Sequence, residues 1–340
     1  MTAAITGAAR QMKRINIIAW DNGFGLTRHI RLLSDALRTG GFHVTVSSIR
    51  RGKLRKWFRP LAMHLRQLWM RLSGSDKLGR FDANIMIEHV RADYLGFARV
   101  NLFAPHPEWC LPIDVALLEK TDGTLCMTHH AEPIFAGRGS RTAFIGFTSE
   151  DRLDASVPRE RAFFHLAGRS QNKGTEQLLA VWRKHPEWPT LTVLQSPHTA
   201  KPGAATANIV HRVDYIDDAE LRRIQNAHRF HVCSSETEGF GHYLVEAMGV
   251  GAVVLATDAP PMNEMITADR GITIAYDRTG TQHLATTYFV SEAGIVDAVE
   301  RALALDEAQV ETMGAAARRW FEDNDRAFPQ RVAAALNQMC

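Results

Sequence analysis

Glu238 and Glu246 stand either side of seven residues in SETEGFGHYLVEAMGVGAVVLATD, residues 235–258, and Gly239, Phe240 and Gly241 follow the first of them. An ionised carboxylate accepts hydrogen bonds and donates none, so a pair of them suits a ligand rich in hydroxyls. Glycines at 239 and 241 let the backbone come close to that ligand. A helix over about His242–Met248 follows, and its free N–H groups and dipole favour a phosphate beside Glu238. Glu246, one to two turns into the helix, can accept both hydroxyls of a cis-diol such as a ribose. Upstream, GRSQNKG sets Arg169 and Lys173 four residues apart around a turn. A guanidinium grips phosphate through a planar fork and an ammonium adds a point charge, so the two together fit a diphosphate. Two solvated surface charges would explain the same loop taken alone.

A third glycine loop, NGFG, places Gly23 and Gly25 at a helix start, where an anion or a sugar hydroxyl can bind. A plain tight turn is the competing explanation. It is not a dinucleotide fingerprint. Arg28 stands at the third glycine position, and the next strand ends in TVSS with no acid for a ribose.

The elements that must position these groups restart half-way along the chain. INIIAW, the glycine loop, a helix over about Leu26–Leu37 and the strand FHVTVSSI form a β-loop-α-β unit, with TGG as a left-handed stop for the helix. ANIMIEHV, RVNLFA, GTLCMT and TAFIGF are further strands. The polar stretch Thr148–Arg161 is a linker. AFFHLAG, a helix over TEQLLAVWRKH, TLTVLQS, ANIVHRV, a helix over DDAELRRIQNA, RFHVCSS and GAVVLAT repeat the pattern. The expectation is an α/β protein of two doubly wound domains, about 1–155 and 156–324, with ligands at the carboxyl ends of the strands. The last helix, about 325–340, is expected to pack back on the first domain.

Composition narrows the function classes. The 340 residues carry 40 Lys and Arg against 37 Asp and Glu, a balance too even for a dedicated nucleic-acid binder. The four cysteines show no CxxC spacing, which speaks for reduced thiols rather than a metal site or a disulfide framework. No Asp-x-Asp metal motif stands out. The opening MTAAITGAARQMKR has no sustained apolar run, so no secretory leader is expected, and no run is long enough to span a bilayer.

At EGFGHYLVEAM, GAVVLATDAPPMNEMI, HLAGRSQNKGTEQLL and GFGLTRHIRLLSDALRTGGFHVTV the sequence resembles the retaining GT-B glycosyltransferases of family four, with their E-x7-E signature. The resemblance covers both domains and is most specific in the second. It implies a GT-B fold, two Rossmann-like domains facing each other across a cleft. It implies transfer of a sugar from a nucleotide-sugar donor to an acceptor hydroxyl with retention, no metal and no cofactor. Arg169 and Lys173 would hold the donor diphosphate, Glu246 the ribose, and Glu238 with Gly239, Phe240 and Gly241 the transferred sugar. The Leu244 and Val245 amides would help cradle phosphate. A histidine of the first domain is expected near the reacting sugar: His106 after RVNLFAP, or His89 at the end of NIMIEH, with His129 and His130 further along. Glu108 can meet the acceptor. The short gap from Arg169 to Lys173 and the NGFG loop depart from the family pattern. A same-fold epimerase or phosphorylase, and a non-catalytic sugar- or nucleotide-binding module, are the alternatives; the lysine pattern of a phosphorylase is not found.

Residues 50–75 hold eight Lys or Arg and no acid. Pro60 can open a helix that sets Leu61, Leu65, Leu68, Trp69 and Leu72 on one face. A basic amphipathic helix with tryptophan suits an anionic membrane surface and would bring the first domain to a glycan or lipid-linked acceptor. A core-facing helix with a solvated basic face is the other reading. The expected location is cytoplasmic, or peripheral on the cytoplasmic face of a membrane through 50–72, with no nucleic-acid partner.

Overall fold

The structure is a computed structural model that describes residues 12–21, 23, 25–49, 61, 65, 68, 69, 72, 81–201 and 203–340. Runs such as RINIIA and VVLAT bury nearly every side chain, as strands covered on both faces must. They assemble into two parallel six-stranded sheets. The first contains β1 (Arg14–Ala19), β2 (His43–Ser48), β3 (Phe81–Ile87), β4 (Ala98–Ala104), β5 (Gly123–Cys126) and β6 (Thr142–Phe144), in the order β2-β1-β3-β4-β5-β6. The second contains β7 (Glu160–Gly168), β8 (Leu191–Gln195), β9 (Ile209–Arg212), β10 (His228–Cys233), β11 (Val253–Thr257) and β12 (Gly271–Ile274), in the order β12-β11-β10-β7-β8-β9. In each sheet the chain reverses its direction of growth once, between β1 and β3 and between β7 and β10. Ligands of open α/β sheets bind outside the carboxyl ends of strands at such a switch point. The loops that leave β7 and β10 there are the ones that carry Arg169, Lys173 and Glu238.

The first helix, Gly25–Thr39, buries Leu26, Ile30, Leu33 and Leu37 against the first sheet and stops at Gly41, which takes a φ of 82°. The final helix is longer than the sequence suggested. It runs from Glu307 to Met339, opened by Asp306, whose side chain accepts from the Gln309 amide at 2.8 Å. Val310 packs in the core of the second domain, and Phe328, Val332, Leu336 and Met339 pack in that of the first. Pro329 breaks the hydrogen-bond ladder inside this helix, and the Arg331 guanidinium reaches the Asn324 side chain at 2.7 Å nearby. One helix therefore staples both domains.

A two-stranded antiparallel hairpin, β13 (Tyr276–Gln282) and β14 (Ala285–Val290), stands apart from both sheets and was not foreseen. Its two-residue tip is His283-Leu284 rather than the Asn-Gly or Asp-Gly that announces such a turn, with His283 at a φ of 52°. In the basic segment, Leu61, Leu65, Leu68, Trp69 and Leu72 are helical and exposed. Residues 50–60, Arg66 and Arg71, which carry the expected basic charge, lie outside the described residues. Among the described residues no helix is long and apolar enough to cross a membrane.

Candidate active site

The signature helix spans His242–Gly249, one residue beyond its expected end. Gly241 caps it at a φ of 92°, left-handed backbone that glycine adopts without a Cβ penalty. Leu244 and Val245 do not offer their amides to a ligand as expected. Both donate to the Gly241 carbonyl, at 3.0 and 3.2 Å, because the helix ladder begins there. An anion at this helix start would meet the earlier amides of Gly241, His242 and Tyr243.

Glu238 lies at the carboxyl end of β10. Its carboxylate is paired with Lys173 and receives the Ser235 hydroxyl, and the side chains of Lys173 and Glu238 are only 14% and 13% exposed. The ammonium also sits 3.8 Å from the centre of the Tyr243 ring, whose hydroxyl lies 2.6 Å from Ser235. Arg169 is exposed at the lip of the same loop. Glu246 is buried, and both of its oxygens are engaged. Arg28 of the first helix pairs with one, and the Gln225 amide donates to the other at 2.9 Å. The NGFG loop has Gly23 donating to the Thr27 hydroxyl at 2.8 Å, with a φ of 76°. Gly25 opens the first helix.

The first domain closes onto Gly239. A Cβ there would fall 2.8 Å from Glu108 Oε1 and 2.9 Å from the His106 Cβ, so only glycine permits this approach. His106 precedes a short 3-10 turn, Pro107–Trp109, at the end of β4. Of the candidate histidines, His106 is the one pressed against the signature loop. His89 is held through Nδ1 by Asp114 at 2.9 Å. His129 stacks on Phe144 and contacts Glu132, and the amides of His129 and His130 donate to Glu264.

Two further histidines belong to this cluster and were not singled out in the sequence. His29 lies on the first helix with ring centres 5.3 Å from His106 and 5.8 Å from His242. His242 is the first residue of the signature helix, with Nδ1 2.8 Å from the Ser149 hydroxyl. Burial is the main reason that all three imidazoles stay neutral. His106 falls to about 4, by burial and then by His89, and His242 falls to about 3, by burial and then by Arg28, His106 and Lys173. His29 is depressed by burial and by the other two rings. Burial has the opposite effect on Glu108, whose carboxyl is pushed up to about 8, with Glu238 adding to the rise and the Gly239 amide and Lys173 opposing it. Three buried polar atoms here have no hydrogen-bond partner among the described residues: His106 Nδ1, Glu108 Oε2 and His242 Nε2. Buried polar atoms are normally paired, so a trio of unpaired ones drawn from both domains makes this contact a candidate site.

Residues 148–320, about half of the chain, match the sequence model of the family described as Glycosyl transferases group 1. The chain belongs to this family. Its members are transferases, and the matched region holds Arg169, Lys173, Glu238 and Glu246 of this group 1 chain. No curated protein sequence matches it. Solved structures agree on the fold. Sucrose-phosphate synthase from Thermosynechococcus elongatus superposes with a TM-score of 0.67 at 16% identity, over 96% of this chain and 99% of that one. The lipopolysaccharide outer core galactosyltransferase WaaB in its apo form gives 0.68 at 12% identity, over 96% and 100%. Anabaena Alr3699/HepE in complex with UDP-glucose gives 0.69 at 12% identity, over 96% and 100%. The group 1 chain thus has the GT-B architecture of these enzymes.

Proposed function

We propose that the chain moves a sugar from a nucleotide-sugar donor to an acceptor hydroxyl with retention of configuration, in the assembly of a polysaccharide or glycolipid. The observation that carries this reading is the trio of unpaired buried atoms on His106, Glu108 and His242 around Gly239, opposite the Lys173–Glu238 pair. In this account Arg169 and Lys173 take the diphosphate, together with the start of the signature helix. Positive side chains and the helix dipole do the work of a cation as the leaving group gains charge. Glu246 takes the ribose once Arg28 yields. Glu238 and the 239–241 backbone face the sugar. His106 and Glu108 meet its other side and the incoming acceptor. Domain closure then excludes water.

The acceptor is proposed to reach the first domain at an anionic membrane surface. Leu61, Leu65, Leu68, Trp69 and Leu72 leave the apolar face of a helix exposed, within a sequence segment of eight basic residues and no acid. Such a helix lies in the plane of a headgroup layer. Replacing Arg55, Lys56 and Arg59 with Glu should reduce binding to anionic liposomes. A wild-type protein that ignores those liposomes rules the surface out.

The donor reading is tested by a thermal-shift screen of nucleotide sugars, because a ligand of the folded state raises its melting temperature. The donor that binds should also be slowly hydrolysed. Binding without any release of sugar would favour a non-catalytic module.

A further inference from the structure

The β13–β14 hairpin belongs to the second domain by sequence, yet its tip is seated in the first. The Leu284 amide donates to the Pro107 carbonyl at 3.1 Å, and the Leu284 side chain packs against the apolar cluster of Ile18, Met86 and Phe103. Next to the tip, the two ends of one side chain reach different domains. Gln282 Nε2 donates to the Glu108 carbonyl at 3.0 Å, and Gln282 Oε1 accepts from the Asn172 amide at 2.7 Å. The base of the hairpin is laced to the same region. The Tyr288 amide donates to the Glu236 carbonyl at 2.7 Å, and the Glu236 amide donates to the Asn172 carbonyl at 2.9 Å.

Those contacts join the three segments that bear the site: His106–Glu108, Asn172–Lys173 and Glu236–Glu238. A two-stranded hairpin alone is marginally stable in water, and Tyr276, Asp277, Arg278 and Thr279 of this one are exposed. Its base is anchored on its own domain through Glu236 and Val290, whereas its tip docks only when the two domains are together. An ordinary surface hairpin would have no reason to send a glutamine amide to one half of the cleft and its carbonyl to the other.

We propose that Gln282 is a positioning residue: through it the hairpin holds the Pro107–Glu108 turn and the Asn172–Lys173 loop in register, so that Glu108, Lys173 and Glu238 face one bound donor. This rests on the transferase reading and adds to it the element that aligns the two domains for chemistry. Gln282 touches no reacting atom in this account, and without it Lys173 is still held by Glu238 and the Tyr243 ring, so its loss acts on the turnover step through the Pro107–Glu108 turn and leaves donor affinity in place.

The test compares wild type with Gln282→Ala and Gln282→Met, the latter keeping length and bulk without the two polar ends. The readouts are nucleotide-sugar hydrolysis, nucleoside diphosphate binding by calorimetry, and hydrogen exchange at the Leu284 and Tyr288 amides. The expected result for both variants is a kcat about tenfold lower with KM within about twofold. Nucleotide affinity stays unchanged, and the Leu284 amide exchanges faster. A methionine variant with wild-type kcat would reduce Gln282 to packing and overturn the proposal, as would an effect confined to KM. Should no nucleotide sugar be turned over by wild type, the transferase reading fails by itself. Exchange then decides the docking: a Leu284 amide as unprotected in wild type as in the variants refutes it, and protection lost in both variants upholds it.

Discussion

The Arg28 guanidinium and the Glu246 carboxylate form an ion pair that runs from the first helix of one domain to the signature helix of the other. Glu246 is 2% exposed, and its second oxygen is held by Gln225. The carboxylate proposed for the ribose is thus already a tie between the domains. On the proposed reading a diol would reach it by replacing Arg28, which would link donor binding to the set of the cleft.

Replacing Glu246 with Ala should weaken nucleoside diphosphate binding by about tenfold, or about 1.4 kcal/mol. Calorimetry with UDP and GDP measures this directly. An unchanged affinity would remove the ribose assignment and leave Glu246 with the structural pair alone.

Arg169 and Lys173 should separate in their effects although both are assigned to the diphosphate. Arg169 is exposed, so Arg169→Ala is expected to lose turnover by roughly a hundredfold, the scale for one lost electrostatic contact to a leaving group, with the melting temperature preserved. Lys173 balances a largely buried Glu238, so Lys173→Ala should lose turnover and melt earlier, because a carboxylate is left without its cation. Equal melting temperatures for the two variants would contradict the buried pairing.

Glu108 and the histidines give stability a pH dependence of definite sign. The Glu108 carboxyl is raised from 4.5 to about 8, so the folded state holds its proton more tightly than the unfolded chain. Its stabilising contribution is complete below 4.5 and is lost as pH rises toward about 8. Glu108→Gln should therefore gain stability relative to wild type across that interval and level off above it. His106 and His242 are depressed from 6.5 to about 4 and about 3, so they destabilise the folded protein as pH falls through that range. Thermal melts of wild type and Glu108→Gln over a pH series measure both limbs. A constant difference between the two proteins would place Glu108 in water rather than in the closed cleft.

Gly239→Ala should force His106 and Glu108 away from the signature loop, since the added methyl overlaps both. The expected cost is about 1–3 kcal/mol of stability, as for other overpacked sites. Transfer should fall further than nucleotide binding does. Wild-type turnover in this variant would mean that the two domains do not meet here during catalysis.

The elements were legible where the physics is local. The buried β-branched runs, the glycine stop at Gly41 and the strand-glycine-helix units gave the two sheets and the positions of Arg169, Lys173 and Glu238. Contacts that join distant segments were not. Nothing in the sequence pairs Arg28 with Glu246 or gathers His29, His106 and His242, because each sits on its own element: His29 and His106 meet within the first domain, and the packing of the second domain on it brings Glu246 and His242 to them. The helix start at His242 was read correctly, yet the Leu244 and Val245 amides are not open, because both turn back onto the Gly241 carbonyl. The hairpin was missed because His283-Leu284 gives no turn signal, and the long helix from Glu307 was recognised only from about residue 325.

The central claim is that this cleft activates a nucleotide sugar. The most direct measurement is release of nucleoside diphosphate from a panel of nucleotide sugars by wild type and Arg169→Ala, with the anomeric configuration of the freed or transferred sugar read by NMR. The account predicts one preferred donor, release that collapses in Arg169→Ala, and a product of the donor's own configuration. Equal release by both proteins, or no release from any donor that the protein binds, would contradict it.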